Sequence, residues 1–369
     1  MEGCYLCGSL FTEDNNSIEH ILLNAIGGKL KSKNLLCKNC NSNFGSDSDK
    51  ILANELAFLS SFLEVKRNKG KNQDIKHGKT ISGLSYNLLD GHKPQISKPI
   101  ITEPTRENPF INIQARDESE AIQILEGLKR KYPDLDITNA KDKLVVEEYY
   151  LQEPLNFNFG VGSDGTFKSL TKSAVNYYIF TQKDTKPVKH LFEYLKGNEK
   201  IKVAKHFLSI DIRENDSSEV FHLIHLESNQ NFLYCYIELF SAYSFIVLLS
   251  SKYSDRPINS TYCYDLINNI KVEKHMCLNL SKDHFDFNSI LTTTDVEILQ
   301  KRLNRIMQIG ERIKTEREIL NIINDGFELI MRKHEQPHLF SQEMHQELSS
   351  YIANRFAQFT NRNNQIDSI

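Results

Sequence analysis

Two Cys-x-x-Cys pairs, Cys4/Cys7 and Cys37/Cys40, bracket the stretch CYLCGSLFTEDNNSIEHILLNAIGGKLKSKNLLCKNCN near the start of the chain. Four thiolates about 2.3 Å from one tetrahedral Zn²⁺ close a structural site, and each knuckle turns tightly enough to supply two ligands from one bend. A disulfide pair and chance clustering are the competing readings. The start, Met1-Glu2-Gly3-Cys4, lacks the basic-then-apolar pattern of a secretory leader, and Cys235, Cys263 and Cys277 are scattered without paired spacing. Both features point to a cytoplasmic protein, where disulfides rarely persist, and so to zinc. With little core of its own, the loop is expected to draw most of its folding free energy from the metal. Between the knuckles lie Glu19-His20, a Gly27-Gly28 turn and Asn34-Leu35-Leu36. An imidazole with an ordinary pKa of about 6.5 suits proton transfer at cellular pH.

Positioning these residues requires local structure. Ser17 to Leu22 reads as a short strand, Ala25 to Gly28 as a turn and Asn34 to Cys37 as the returning strand, with a helix opening at Cys40. The result is a ββα unit with zinc knuckles at its base. A further helix, Asp49 to Arg67, carries Leu52, Leu56, Leu59 and Leu63 at helical spacing, and Asp47 and Asp49 are placed to cap it.

The order Cys-x-x-Cys, Glu-His, Gly-Gly, Asn-Leu-Leu-Cys-x-x-Cys-Asn resembles the HNH endonucleases, the His-Me finger nucleases with a ββα-metal site, and in particular their zinc-stapled four-cysteine branch. The resemblance spans about the first 65 residues. It implies that His20 is the general base that takes a proton from the attacking water, and that Glu19 is the acidic metal ligand. It implies further that Asn34 ties the loop backbone and aims the histidine, and that Asn41 helps to hold the catalytic ion. Many members have histidine at that last position, so the variant here is His-Asn-Asn. Hard oxygen ligands favour Mg²⁺ or Mn²⁺ over Zn²⁺ at the catalytic position. Phosphodiester hydrolysis needs a base, a cation for the charge on phosphorus and a proton for the leaving oxygen, which one histidine and one hydrated ion can provide. Without catalysis, Glu19-His20 would be a surface pair of a zinc ribbon, and Asn34 and Asn41 would serve as turn and helix caps.

The remaining sequence describes the body that carries this unit. A chain of 369 residues, 40% hydrophobic and 25% charged, has the length and composition of a globular protein with more than one domain. Its net charge of −3 excludes binding of polyanions by bulk electrostatics, so nucleic-acid contacts must be local. The run Lys66, Arg67, Lys69 and Lys71, continuing to Lys79, is the candidate for phosphate contacts or, equally, a solvated linker. The most apolar window, Phe232 to Ser250, is rich in aromatic and β-branched residues and reads as two buried strands rather than a membrane span. Lys98–Ile101, Pro109–Ile113, Leu144–Val146 and Val220–Leu226 also read as strands, and Ser119–Lys131 and Phe167–Phe180 as helices. In the second of these helices Lys168, Lys172 and Asn176 share one face, expected to be its wet side. Thr294-x-x-Glu297 and Thr315-x-x-Glu318 mark two helix starts, and another helix, Ser341 to Thr360, follows Pro337.

The expected class is therefore α+β: a small N-terminal zinc-bound ββα unit (residues 1–67), a basic linker (68–80), a mixed α/β body (81–290) and a helical C-terminal part (291–369). The favoured function is metal-dependent hydrolysis of DNA, with RNA as the alternative substrate and the body serving recognition or regulation, as in restriction and anti-phage defence effectors. The C-terminal helices offer a surface for a homodimer, and an activating ligand or protein would fit a regulated nuclease. The competing function is a non-catalytic zinc module that binds nucleic acid or protein.

Overall fold

The computed structural model describes residues 2–68, 70, 74–89, 93–106, 109–145, 151, 153–157, 160–208, 219–335 and 339–366. The chain divides into two compact units, residues 1–299 and 300–369. The fold mixes helix and strand, as the sequence pattern requires.

The first unit opens with two-residue strands β1 (Glu19–His20) and β2 (Lys31–Ser32), paired antiparallel with Glu19 opposite Ser32 and His20 opposite Lys31. A 3₁₀ turn, Asn24–Ile26, connects them, with Gly27 capping it at φ 96°. Helix α1 (Lys38–Ser46) follows and completes the ββα order. The returning strand lies earlier than expected: Asn34 to Cys37 forms a loop, joined to the chain by an Asn16–Cys37 bridge, and Asn34 itself takes φ 63°. A left-handed residue breaks a ladder, which accounts for the early end of β2. Two short helices, α2 (Ser48–Glu55) and α3 (Ala57–Phe62), replace the single helix expected over Asp49–Arg67. The leucines that suggested one helix still face inward, since Leu52, Leu56, Leu59 and Leu63 are all buried.

Small antiparallel sheets come next. Strands β3 (Ile75–Lys79), β4 (Ser85–Leu89) and β5 (Lys93–Ile96) form one, and β6 (Ile100–Thr102) and β7 (Asn112–Gln114) another. Helices α4 (Glu118–Leu128) and α5 (Ile137–Asp142) follow, each started by an aspartate whose side chain accepts a backbone N–H of the first turn. Leu144 and Val145 are not in a strand, and Val146 lies outside the described residues.

Helix α6 (Asp164–Gln182) is the axis of the first unit. On one side it packs against α2, and on the other against a six-stranded antiparallel sheet. A 3₁₀ turn (Lys186–Leu191) leads from α6 into α7 (Phe192–Lys196). The sheet comprises β8 (Ala204–His206), β9 (Phe221–Asn229), β10 (Phe232–Leu239), β11 (Tyr243–Ser250), β12 (Asn259–Asp265) and β13 (Ile270–Val272), in the order β13-β12-β9-β10-β11-β8. The apolar window thus becomes β10 and β11, buried strands of this sheet, and no helix among the described residues is long and apolar enough to cross a membrane. Cys235 and Cys263 are buried in the sheet, whereas Cys277 is exposed.

Helix α8 (Thr293–Lys333) runs unbroken for 41 residues, with Thr292 and Asp295 exchanging capping hydrogen bonds at its start. The start expected at Thr315 is interior to this helix. A Thr-x-x-Glu pattern does not by itself end the helix that precedes it, and Gly310, five residues earlier, is buried within α8 without breaking it. In the second unit, α9 (Gln342–Ile366) runs back beside α8 at Gly326, where an added Cβ would lie 2.8 Å from the Tyr351 ring.

A sharper limit of the same kind holds at Gly28. A Cβ there would lie 2.0 Å from the Leu22 carbonyl oxygen, a backbone atom with no rotamer in which to retreat. Gly28→Ala should therefore destabilise the hairpin by about 1–3 kcal/mol. Urea unfolding of the two proteins tests this, and an unchanged midpoint would refute it.

Candidate active site

The four cysteines converge. The Sγ atoms of Cys4, Cys7, Cys37 and Cys40 all lie within 4.8 Å of one another, with Cys7 and Cys37 at 3.7 Å. A tetrahedral ZnS₄ site with bonds of about 2.3 Å has S···S edges of about 3.8 Å, so the set is gathered closely enough for the four thiolates to hold one zinc. Cys37 is the residue before α1 and Cys40 lies in its first turn, which places one knuckle on a helix start. Cys4, Cys37 and Cys40 are buried and Cys7 is exposed. Burial would raise the Cys7 thiol, but hydrogen bonding with Ser9 and its cysteine neighbours brings it down to about 6.

The first knuckle is not a free-standing loop. Tyr5, between Cys4 and Cys7, lays its ring 5.1 Å from that of Phe192 in α7, and its hydroxyl donates to Asn176 Oδ1 of α6 at 2.8 Å. The unit also buries Leu6, Ile21, Leu22, Ile26, Leu35 and Leu36. The expectation that the metal supplies most of the folding free energy omitted this packing against the body.

Glu19 and His20 are adjacent on β1, and successive strand residues point to opposite faces. Glu19 faces the core, only 2% exposed. Its Oε1 accepts Lys172 Nζ at 2.5 Å and Asn176 Nδ2 at 3.1 Å. Lys172 also donates to Asp49 Oδ2 at 2.6 Å, and Ser169 donates to Asp49 Oδ1 at 2.6 Å. Nearby, Lys168 pairs with Asp47 at 3.0 Å. The stripe Lys168–Lys172–Asn176, expected on the wet side of its helix, therefore forms the seam between α6 and the N-terminal unit, with Lys172 and Asn176 fully buried. Likewise Asp47 and Asp49 reach across to α6 instead of capping α2, where neither makes a side-chain capping bond. Burial raises the Glu19 pKa, opposed by the charge of Lys172. For Lys172 burial works against the ammonium, but the charges of Glu19 and Asp49 outweigh it and raise its pKa. No hydrogen bond reaches Glu19 Oε2 among the described residues.

His20 faces the other way and is half-buried. Its Nε2 meets the Asn68 side-chain amide at 3.1 Å. Burial first, then the charges of Lys31, Lys172 and Lys29, lower its pKa and favour the neutral ring. Asn34 is exposed and accepts Asn16 Nδ2 at 2.6 Å, while Asn41 Nδ2 donates to Ser17 Oγ at 3.3 Å. Asn16 and Ser17 also line a groove of about 620 Å³ with Phe11, Ile18 and Lys33. Of the basic run, Lys66 is exposed and Arg67 half-buried, whereas Lys69 and Lys71 lie outside the described residues.

Asn68 and Lys29 carried no signal in the sequence, because their importance rests on a chain reversal that returns residues 66–68 to His20. Two further side chains fix other edges of the unit. His222 Nε2 meets the Ile26 carbonyl at 2.8 Å while its Nδ1 accepts the Phe240 N–H at 3.1 Å, and Glu55 Oε2 accepts Gly162 N–H at 3.0 Å and Thr166 Oγ1 at 2.5 Å.

Elemental analysis of purified protein should find about one zinc per chain, and Cys37→Ser should lose it; a stable, zinc-free wild type would remove the metal reading. Lys172→Met leaves two buried carboxylates without their counter-charge and should cost about 3–5 kcal/mol, partly restored by adding Glu19→Gln. A denaturation midpoint unmoved by Lys172→Met would show that the seam contributes nothing.

No curated protein and no solved structure matches the chain at a significant level. The cysteine quartet, the ββα order and the Glu-His strand all fall within one matched segment: residues 4–57 match the family model of the HNH endonucleases.

Proposed function

We propose that the chain is a metal-dependent endonuclease that hydrolyses DNA phosphodiester bonds, with His20 as the general base. The observation that carries this reading is the position of His20. It sits half-buried at the surface of an HNH unit, kept neutral by its surroundings, with Lys29 and Lys31 close enough to act on its charge. Neutral imidazole accepts the proton of an attacking water, oxygen bonds to phosphorus, and the P–O3′ bond breaks. Lys31 and Lys66, both exposed, would meet the flanking phosphates.

Glu19 through Oε2 and Asn41 through its side-chain oxygen are the candidate holders of a hard divalent ion, Mg²⁺ or Mn²⁺. The charge count supports this assignment. Glu19 and Asp49 bring two carboxylates against the single ammonium of Lys172, which leaves the cluster short of positive charge. Such an ion, when bound, would stabilise charge on the phosphoryl oxygens and provide water to protonate the leaving oxygen. Zinc at the four cysteines would be structural. The body, joined to the nuclease unit through α6, would serve recognition or control, an arrangement suited to a defence effector that must stay quiet until a ligand, a partner or pairing through α8 and α9 releases it.

One observation favours a second reading, a zinc module that binds nucleic acid without cutting: Lys172 already neutralises Glu19 Oε1. Cleavage of supercoiled DNA, linear DNA and RNA with Mg²⁺, Mn²⁺ or EDTA separates the two. Metal-dependent cutting of DNA that falls by roughly 10²–10⁴ in His20→Ala is the expected outcome. Binding without cutting in both proteins would establish the second reading.

A further inference from the structure

Lys29 is an ammonium surrounded by neutral oxygen. Its Nζ donates to the Lys66 carbonyl at 2.6 Å and to Asn68 Oδ1 at 3.4 Å, and no carboxylate pairs with it among the described residues. Burial, and then the charge of Lys66, lower its pKa. Two cations held together without an anion form an electrostatic site for one. It lies beside His20, whose ring is in the field of Lys29.

The same contacts fix how Asn68 faces His20. An ammonium only donates, so the amide oxygen of Asn68 must face Lys29, and its NH₂ then faces His20 Nε2 at 3.1 Å. The Asn68 backbone N–H, donating to Asn24 Oδ1 at 2.9 Å, anchors the residue from behind. Nε2 must therefore accept, and the proton of the neutral ring sits on Nδ1. Neutral imidazole has one lone pair, and here Asn68 occupies it. Whichever nitrogen faces the substrate, the ring in this arrangement cannot take a proton from water.

Resting on the reading of His20 as base, we propose that Lys29 is the residue that contacts the substrate phosphate, and that Asn68 is a latch on His20 which Lys29 holds shut until that phosphate arrives. A phosphate draws the ammonium away from Asn68 Oδ1. The amide then loses the partner that fixed its orientation, and a water O–H can replace the Asn68 N–H at Nε2. Asn68 acts as a positioning residue, and DNA itself is the opening signal, so the base is uncovered only where a phosphodiester is present.

The first test reads the His20 ring directly, by ¹⁵N NMR of the full-length, zinc-loaded protein labelled at histidine, with His20 identified by its loss in His20→Gln. Wild type should show the Nδ1–H tautomer. Asn68→Asp, whose carboxylate can only accept, should move the proton to Nε2. A short DNA duplex, added without Mg²⁺ or Mn²⁺, should shift the wild-type signal toward that of Asn68→Ala. An Nε2–H tautomer in wild type, or ring signals indifferent to Asn68, would overturn the latch whether or not the protein cuts DNA. The second test reads cleavage: Asn68→Ala should cut roughly fivefold faster at low DNA concentration, the factor of one released hydrogen bond. Lys29→Ala should flatten the salt dependence of DNA binding without added Mg²⁺ or Mn²⁺ by about one in log–log slope. Slower cutting by Asn68→Ala, or an unchanged slope for Lys29→Ala, would defeat the corresponding half of the proposal. Cutting that survives His20→Ala would instead defeat the reading of His20 as base, which the ring measurement does not assume.

Discussion

The buried ammonium of Lys172 is the constraint on which the first unit depends. It lies within 2.6 Å of carboxylates from two separate elements, Glu19 on β1 and Asp49 on α2, and 5.4 Å from the Phe44 ring centroid of α1. Taking such charges out of water costs several kcal/mol per ion and is offset only by close geometry and further hydrogen bonds. Asn176 and Ser169 supply those bonds from the same helix. An arrangement of this kind admits one register. Sliding α6 by a residue would leave an unpaired buried charge on each side of the seam, so the ion pairs select how the N-terminal unit is seated more than they strengthen it.

What the sequence made legible was local. Cys4/Cys7, Cys37/Cys40 and the Glu19-His20 pair declare themselves by spacing of a few residues, and the ββα order followed from them. Periodicity also revealed the helix containing Lys168, Lys172 and Asn176, and it placed those three on one face. It could not reveal what that face meets. A charged stripe is ordinarily solvated, and only carboxylates more than a hundred residues away, at Glu19 and Asp49, reverse the inference. Asp49 failed for the same reason in mirror image: position in a first turn suggests capping, while a buried lysine across the seam is the stronger partner.

Boundaries were lost where one backbone angle decided them. Asn34 at φ 63° ends the returning strand early, and Leu56, extending neither α2 nor α3, divides a run of leucines that reads as continuous. In α8 the opposite occurred, since a second capping pattern carried no break. Asn68 and Lys29, the neighbours of His20, were illegible for a different reason. Neither belongs to a motif, and both matter only because the chain after α3 turns back over the hairpin.

β1 is only two residues long, yet it carries both the candidate metal ligand and the candidate base. Alternation along a strand sends Glu19 inward to α6 and His20 outward to the segment at Asn68. The candidate metal ligand is thus governed by the body and the candidate base by the basic segment, through one rigid pair of peptides. Pinning Glu19 with Lys172 and Asn176 fixes the backbone from which His20 projects, so the accuracy of the half-buried imidazole is set by charges buried on the far side. A cysteine knuckle fastened through Tyr5 to the same Asn176 holds the other end of that network. The cysteine quartet, the buried ion pairs and the ring of His20 are therefore linked by side chains of a single helix, and a displacement of α6 would be felt at all three.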